Sequence, residues 1–482
     1  LNKDIVAEIR RIYEKIYGLC DTRNIGWSKL YDYASFLEDQ NDYTNAIEVA
    51  ENLRWYYSAP GRKVNEYDLG SLYNLLGLLY EAQNKPKKAE KYCLAAIEIR
   101  ERLVEKNADA YEPALAGSYN NAGNLYKKQG QSQKAEKYLL AAMEIYERLV
   151  KENADAYEPD LAGSYNNAGN FYKDQGQPEK AEKYYLTAIE IRERLVKKNA
   201  EAYEPDLAGS YNNAGIFYAK QNQPEKAEKY YSDAIEIYER LVKKNVDAHE
   251  PALATSYYNA VSFYYEQGRL EKSEKYILAA MEIYERLAKK NADAYEPALA
   301  GSYSAAGVFY HKQGQSGKAE KYYLAAIEIY ERLVEKNADA YEPNLAGSYN
   351  NAGVFYYEQG RLEKSEKYIL AAIEIRERLA KKNANAFEPD LAMSYNNAGE
   401  FYANQDYLEK SEKYYLAAIE IYERLVKKNA AAYEPDLAIS CFLFSLNSKD
   451  KTYLDKAYEI AKRRQDDPRC GKLMKDIESM LK

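Results

Sequence analysis

A 46-residue period runs through most of this chain and constrains its fold more than any other feature of the sequence. The pattern Ser-Tyr-x-x-x-Gly returns at multiples of 46 residues, with its tyrosine at Tyr119, Tyr165, Tyr211, Tyr303, Tyr349 and Tyr395. Tyr257 keeps the register although Val261 replaces the glycine, and Tyr73 begins the series one period upstream. A second tyrosine follows each first one by seven residues, at Tyr80, Tyr126, Tyr172, Tyr218, Tyr264, Tyr310, Tyr356 and Tyr402. Self-similarity at one fixed period of this length indicates a repeat array.

Each unit of the period divides into two helical stretches, as the third unit illustrates. Proline suits the first position of a helix and disfavours helix in the residue before it, so we expect the first helix to open at Glu158–Pro159. That helix should run to about Asp174, with Gly176 as a left-handed stop after it. Pro178 then predicts a second helix that ends near Asn199.

The small residues of the unit predict how its helices meet. Tyr165, Gly169 and Tyr172 lie at i, i+4 and i+7, on one stripe of the first helix. Ala181 and Ala188 lie seven residues apart on the second helix. Small residues leave holes, and we expect the tyrosines to fill them. Because one helix pair cannot bury such a face alone, neighbouring units must stack.

The ends of the chain depart from the period. We expect a lone N-terminal helix and a divergent first repeat over residues 1–66, eight repeats over 67–436, and a shortened repeat with a capping helix over 437–482. The lone helix is predicted by an apolar stripe of Ile5, Ile9, Ile12 and Ile16. The capping helix is predicted by Leu473, Met474, Ile477, Met480 and Leu481, since arrays need an atypical end.

The repeat resembles the tetratricopeptide repeat (TPR), a family in which bulky, small and aromatic residues follow at fixed offsets. The matching residues are Tyr165, Ala168, Gly169, Tyr172, Ala181, Tyr185 and Ala188. The usual unit of the family has 34 residues and a closing proline, whereas Glu193 occupies that position here and the unit grows to 46. Such long second helices are similar to the kinesin-light-chain-like branch. The resemblance implies an all-α, right-handed superhelical solenoid of antiparallel helix pairs.

The resemblance also implies that the first helices line a groove that contacts ligands at fixed positions. Carried over by offset, the groove positions are Asn120, Asn121, Asn124, Lys127, Lys128, Asn166, Asn167, Asn170, Lys173, Asn212, Asn213, Lys220, Tyr258, Asn259, Tyr265, Ser304, His311, Asn350, Asn351, Asn396 and Asn397. The implied partner is a protein or an extended peptide.

Asparagine dominates these positions at a local cost. It is intrinsically less favourable than alanine inside a helix, yet six of the eight units place one directly after the first tyrosine and six place one at the next position. One explanation is an amide ladder that matches the N–H and C=O groups of an extended peptide. The alternative is that the asparagines bond the adjacent repeat. The sequence leaves both open.

Charged and aromatic side chains are unevenly distributed along the groove. Asp32, Glu38, Asp39 and Glu81 make its first part acidic, whereas the lysines from Lys127 to Lys220 predict a site for an acidic peptide. The amides are interrupted at Tyr258 and Tyr265 and again at Ser304 and His311, which predicts either an aromatic pocket or drift of an unused unit.

Other classes of function lack support in the sequence. The net charge of −8 argues against binding to a phosphate backbone, and no apolar run approaches the length of a membrane helix. The four cysteines are isolated, without the spacing of a zinc site, and are expected to be free thiols in a reducing, cytoplasmic compartment. With two histidines and no phosphate loop or nucleophile motif, we expect neither an enzyme nor a cofactor.

The sequence therefore favours a non-enzymatic scaffold that binds a protein or peptide. A second possibility is the ligand-sensing arm of a larger signalling protein, such as a nucleotide-binding switch or a protease, which the absence of an initial methionine favours. A third is an architectural solenoid that assembles with itself. The oligomeric state stays open.

Overall fold

The computed structural model describes residue 11 and residues 28–39, 42–58, 65–448, 450–465 and 467–480. Over these residues the chain consists of helices joined by short turns, with no strand among them. By its internal contacts the chain divides into two compact units, Leu1–Ser302 and Tyr303–Lys482, and the division falls inside one helix. The all-α class predicted from the period is confirmed.

The helices follow the chain in pairs. In the first unit they are α1 (Ser28–Asp39), α2 (Tyr43–Tyr57), α3 (Glu66–Ala82), α4 (Pro86–Lys106), α5 (Ala108–Lys128), α6 (Ser132–Glu152), α7 (Ala154–Asp174), α8 (Pro178–Lys198), α9 (Ala200–Lys220), α10 (Pro224–Lys244), α11 (Val246–Glu266) and α12 (Leu270–Lys290). Helix α13 (Ala292–Lys312) contains the division. The second unit continues with α14 (Ser316–Lys336), α15 (Ala338–Glu358), α16 (Leu362–Lys382), α17 (Ala384–Ala403), α18 (Leu408–Val426), α19 (Ala430–Asn447), α20 (Lys451–Arg463) and α21 (Pro468–Met480).

Helices α3 to α18 are the eight in-phase repeats, each with an odd-numbered first helix and an even-numbered second helix. Helices that follow each other along the chain pack together from α1 to α12 and again from α14 to α21. This stacking in chain order is that of a helical solenoid.

The first helices begin earlier than their prolines predict. Helix α7 begins at Ala154, and Pro159 lies inside it. The side chain of Asn153 caps this helix, because its Oδ1 accepts a hydrogen bond from the backbone N–H of Ala156 at 3.2 Å. The same asparagine cap precedes every odd-numbered helix from α5 to α19. The expectation that Glu158–Pro159 opens the helix is wrong, since the cap satisfies one of the free N–H groups upstream of the proline.

The turn between the two helices of a repeat follows the sequence prediction. Helix α7 ends at Asp174, and Gly176 adopts the left-handed conformation with φ of 67°. Pro178 takes the first position of α8, and α8 ends at Lys198, one residue before Asn199. The turn is therefore short enough to make the two helices neighbours.

Glycine lets the two helices of a repeat approach closely. A Cβ atom added at Gly169 of α7 would lie 2.8 Å from the ring of Tyr185 on α8, and that ring is only 1% exposed. The predicted hole therefore exists, but a residue of the second helix fills it, not Tyr165 or Tyr172. Gly169 faces Tyr185 of the second helix, whereas Tyr165 and Tyr172 contact the ring of Tyr184.

The recurring tyrosines form a group of three rings in contact in each repeat. In the third repeat, the ring centroid of Tyr184 lies 5.8 Å from that of Tyr165 and 5.5 Å from that of Tyr172. Lys180 places its ammonium 4.6 Å from the centre of the Tyr172 ring, and the Tyr172 hydroxyl donates to Glu136 of the preceding repeat at 2.8 Å. Equivalent groups of three tyrosines recur in all eight repeats. The tyrosine excess is thus mainly a packing feature.

The terminal helices share hydrophobic cores with the neighbouring repeats. Helices α1 and α2 bury Leu30, Ala34, Leu37 and Ala46 against α3. At the other end, α21 buries Leu473 and Ile477 against the last helix pair. The stripe of Ile5, Ile9, Ile12 and Ile16 lies outside the described residues, as does Leu481.

Candidate functional site

Each first helix presents one stripe of residues toward the predicted groove. On α7 this stripe contains Gly163, Asn166, Asn167, Asn170 and Asp174, which are separated by three, four, seven and eleven residues from its first member. We call this stripe, and its equivalents on the other odd-numbered helices, the first-helix face. It holds most of the positions singled out in the sequence.

A cavity of about 240 Å³ lies on the first-helix face of three successive repeats in the first unit. It is lined by Leu78, Glu81, Asn121, Asn124, Lys127, Lys128, Asn167 and Asn170. Six of these eight residues are predicted groove positions. Leu78 was not predicted, because its position on α3 carries no signal beyond the period itself.

Lysine side chains concentrate around this cavity. Lys128 pairs with Glu81 at 2.5 Å, whereas Lys127 and Lys173 share the carboxylate of Asp174 at 3.5 and 3.6 Å. Burial lowers the pKa of Lys173; Lys220 and Lys127 act in the same direction, and Asp174 opposes them. Lys220 forms no ion pair with any described residue. Lys127 and Lys173 share one carboxylate, and Lys220 adds a third positive charge that acts on Lys173, so this part of the first-helix face carries an excess of positive charge.

Many of the predicted asparagines bond the neighbouring repeat. In the first unit, Asn120 Nδ2 donates to Ser164 Oγ at 2.6 Å, and Asn121 Nδ2 donates to Asn74 Oδ1 at 3.1 Å. The same two patterns recur in four further bonds, which are Asn213 to Asn166, Asn397 to Asn350, Asn396 to Ser440, and Ser394 to Asn350. These amides connect successive first helices.

Other asparagines of the first-helix face have no such bond. Among the described residues, the side chains of Asn124, Asn167, Asn212, Asn259 and Asn351 form no hydrogen bond. Asn170 accepts a hydrogen bond from the hydroxyl of Tyr185 at 2.8 Å. The amides that line the cavity with open donors and acceptors are therefore Asn124 and Asn167. The sequence could not separate the two kinds, because the same residue type fills both roles at one spacing.

The interrupted part of the groove is divided between the two units. In the first unit, Tyr258 is 37% exposed and Tyr265 is partly buried. In the second unit, Ser304 Oγ lies 3.1 Å from Ser348 Oγ. His311 Nε2 lies 2.9 Å from Glu358 Oε2, and its ring meets Phe355 edge-on at 5.1 Å. Ser304 and His311 thus engage residues of the next repeat of their own unit.

The described part of the chain lacks two other kinds of site. It holds no cluster of three or more histidine, cysteine, aspartate or glutamate side chains placed to bind a metal ion. Of its helices, none combines the length and the apolar character that crossing a bilayer requires.

Comparison with known families identifies the repeat. A sequence model described as tetratricopeptide repeat matches residues 68–148, 160–240 and 252–332, which is half of the chain. The chain belongs to the tetratricopeptide repeat family. A second TPR model matches residues 345–383 and 391–429, so TPR matches recur from residue 68 to residue 429 with short gaps between them. No curated protein matches the chain at a significant level.

Three solved structures resemble the chain in part, at low sequence identity. Aspartyl phosphate phosphatase F from Bacillus subtilis is 15% identical, with 83% of this chain and 95% of that chain covered and a TM-score of 0.48. BtubC (BKLC) from P. vanneervenii is 23% identical, with 52% and 92% covered and a TM-score of 0.42. A putative kinesin light chain with TPR-like repeats from Podospora anserina is 15% identical, with 45% and 96% covered and a TM-score of 0.36. The family assignment rests on the sequence models.

Proposed function

We propose that this TPR protein is a non-catalytic scaffold, located in the cytoplasm, whose first-helix face in the first unit binds an acidic peptide or protein segment. The observation that supports this most is the cavity of about 240 Å³, which is lined by the open amides Asn124 and Asn167 and by Lys127 and Lys128. An amide can pair with the backbone of an extended peptide, and a lysine can pair with its carboxylates.

The charges favour an acidic segment over a neutral one. Lys127 and Lys173 contact one carboxylate, that of Asp174, and the charge of Lys220 acts on Lys173. A bound carboxylate would relieve the repulsion between these lysines and would restore the charge that burial disfavours at Lys173. Binding should therefore weaken as salt concentration rises, because exposed charges are screened.

Charge reversal of the three lysines tests the proposal. The variant Lys127→Glu, Lys173→Glu and Lys220→Glu should bind a labelled peptide with glutamate at alternate positions at least about tenfold more weakly, or about 1.4 kcal/mol. Fluorescence anisotropy over a series of salt concentrations measures both affinity and salt sensitivity, and both should fall. Circular dichroism should show an unchanged helix content.

A matched variant separates a site from general charge. Lys151→Glu, Lys197→Glu and Lys243→Glu change the net charge by the same amount, but these lysines are exposed on the second helices α6, α8 and α10. This variant should keep most of the affinity. If both variants bind equally, or if neither loses affinity, the first-helix face is not the binding site.

A further inference from the structure

One position of the second helix is arginine in three repeats and tyrosine in five. It is occupied by Arg100, Tyr146, Arg192, Tyr238, Tyr284, Tyr330, Arg376 and Tyr422, spaced by the 46-residue period. All eight side chains are buried, with between 3% and 9% of their surface exposed. Five repeats thus bury a neutral phenol where three bury a cationic guanidinium.

The guanidinium groups of Arg192 and Arg376 use only part of their hydrogen-bonding capacity. Arg192 donates through Nη1 to the carbonyl of Asp206 at 2.9 Å and to the hydroxyl of Ser210. Arg376 does the same through Nη1 to the carbonyl of Asp390 at 3.0 Å and to the hydroxyl of Ser394. In both arginines Nε is buried without a partner, and Nη2 forms no hydrogen bond with any described residue. The Nε and Nη2 groups of each guanidinium therefore have no hydrogen-bond partner among the described residues.

Neither guanidinium has a counter-ion in contact. Burial lowers the pKa of Arg192 and of Arg376, while the carboxylates of Asp206 and Asp390 act in the opposite direction without forming an ion pair among the described residues. The exposed Arg194, only two residues away, pairs with Glu158 at 2.6 Å. Burying a charge without a counter-ion costs free energy, so the binding of an anion beside either guanidinium would be favourable.

A glycine of the first-helix face lies beside the guanidinium of Arg192, and Gly347 holds the equivalent position in the repeat of Arg376. A Cβ added at Gly163 would lie 4.0 Å from Arg192 Nη2, and one added at Gly347 would meet nothing within 4 Å. In the first repeat Ser71 occupies this position, and its hydroxyl accepts a hydrogen bond from Arg100 Nη2 at 3.4 Å. In the repeats of Arg192 and Arg376 no side chain takes that role, so Nη2 is the atom that a ligand meets first.

We propose that Arg192 and Arg376 are each the receptor for one carboxylate of a bound partner, which approaches over Gly163 or Gly347. For Arg192, this inference rests on the proposed function, because it identifies carboxylates as the groups of the acidic partner that bind at the first-helix face. The Nη2 group suits a carboxylate, because a charge-assisted hydrogen bond to an anionic oxygen is stronger than one to a neutral acceptor. The carboxylates of Asp206 and Asp390 would disfavour a phosphate, which carries more negative charge than a carboxylate.

The array supplies the substitution that tests the proposal. Arg192→Tyr with Arg376→Tyr places at both sites the residue that five other repeats bury there, so the fold should persist. Tyr238→Arg adds a third guanidinium beside Gly209, at a site where Ala252 replaces the equivalent of Asp206. Lys197→Gln, an exposed position on α8, is the charge control. The probe is sodium acetate, compared with sodium chloride and with sodium phosphate at equal ionic strength, and the measurement is the thermal unfolding midpoint of the full chain.

We expect acetate to raise the unfolding midpoint of the natural chain above its value in chloride. The rise should be lost in the arginine-to-tyrosine variant, kept in Lys197→Gln and increased in Tyr238→Arg. An equal effect of acetate on all four proteins overturns the proposal. A rise with phosphate but not with acetate overturns the assignment of a carboxylate. Because acetate needs no peptide, these outcomes are independent of whether the lysine site binds the glutamate peptide.

Discussion

At the scale of single residues, the glycines of the first helices serve two separate purposes. A Cβ added at Gly123 would lie 2.6 Å from Leu139 on the second helix, whereas one at Gly117 would meet only the hydroxyl of Tyr146, at 3.7 Å. Both glycines lie on α5, where alanine would be intrinsically more stable. Close packing therefore requires Gly123 but not Gly117.

Replacing each glycine by alanine should give opposite results. Gly123→Ala should lower the free energy of unfolding by about 1–3 kcal/mol, because Leu139 is buried and cannot move aside freely. Gly117→Ala should raise it by about 0.5–1 kcal/mol through helix propensity. Urea denaturation of the two variants measures both values. Equal destabilisation by the two substitutions would contradict the contact between Gly123 and Leu139.

Some positions of single residues follow from helix periodicity, whereas their contacts depend on how the helices pack. The spacing of Tyr165, Gly169 and Tyr172 correctly places these residues on one stripe, since helical geometry follows from the sequence alone. That Tyr185 fills the space over Gly169 depends on which faces of the two helices meet. The buried guanidinium of Arg192 could not be recognised for the same reason, because tyrosine occupies its position on the second helix in five of the eight repeats.

At the scale of helices and repeats, the asparagines act as links between successive first helices. Asn397 Nδ2 donates to Asn350 Oδ1 at 2.9 Å, from α17 to α15. Asn351 holds the same place one repeat earlier and forms no side-chain hydrogen bond with a described residue, because Ser304 stands where the acceptor asparagine would be. The two positions thus differ in contacts but not in residue type.

Alanine at these two positions should separate the structural role of the amides from their availability to a ligand. Asn397→Ala should destabilise the chain by about 1–3 kcal/mol, because Asn350 Oδ1 is buried and keeps only the longer bond from Ser394. Asn351→Ala should be neutral or slightly stabilising, since it removes no bond and improves helix propensity. Urea denaturation measures both. A loss at Asn351 as large as that at Asn397 would show that the inter-repeat bond is not what stabilises the helix pair.

Helix boundaries illustrate what the sequence could and could not predict at this scale. The turn at Gly176 and Pro178 was predicted correctly, because a left-handed glycine and an N-terminal proline act locally. The start of α7 was predicted too late. Asn153 and Pro159 predict two different starting points for this helix. Which of them applies depends on the packing gained by the additional turn.

At the scale of the whole molecule, the repeated tyrosines determine how the chain responds to alkali. Burial, in several cases with a hydrogen bond to glutamate, raises the pKa of tyrosines throughout the repeats; Tyr92, Tyr238 and Tyr276 are raised to about 12. An unfolded tyrosine titrates near pH 10. Between these values the unfolded chain loses protons that the folded chain keeps. The tyrosines therefore stabilise the fold fully below about pH 10, and this contribution is lost as the pH rises toward 12.

We expect the free energy of unfolding to fall steeply above about pH 10, with tyrosinate absorbance and helix content changing together. Tyr238→Phe should reduce the slope of stability against pH, because it removes one buried hydroxyl that resists ionisation. Tyr407→Phe, at a side chain that is 57% exposed, is the matched control and should leave the slope unchanged. Urea denaturation at a series of pH values measures the slope. Tyrosinate that forms near pH 10 while the helix content persists would contradict the argument, because the buried hydroxyls would then ionise inside the folded chain.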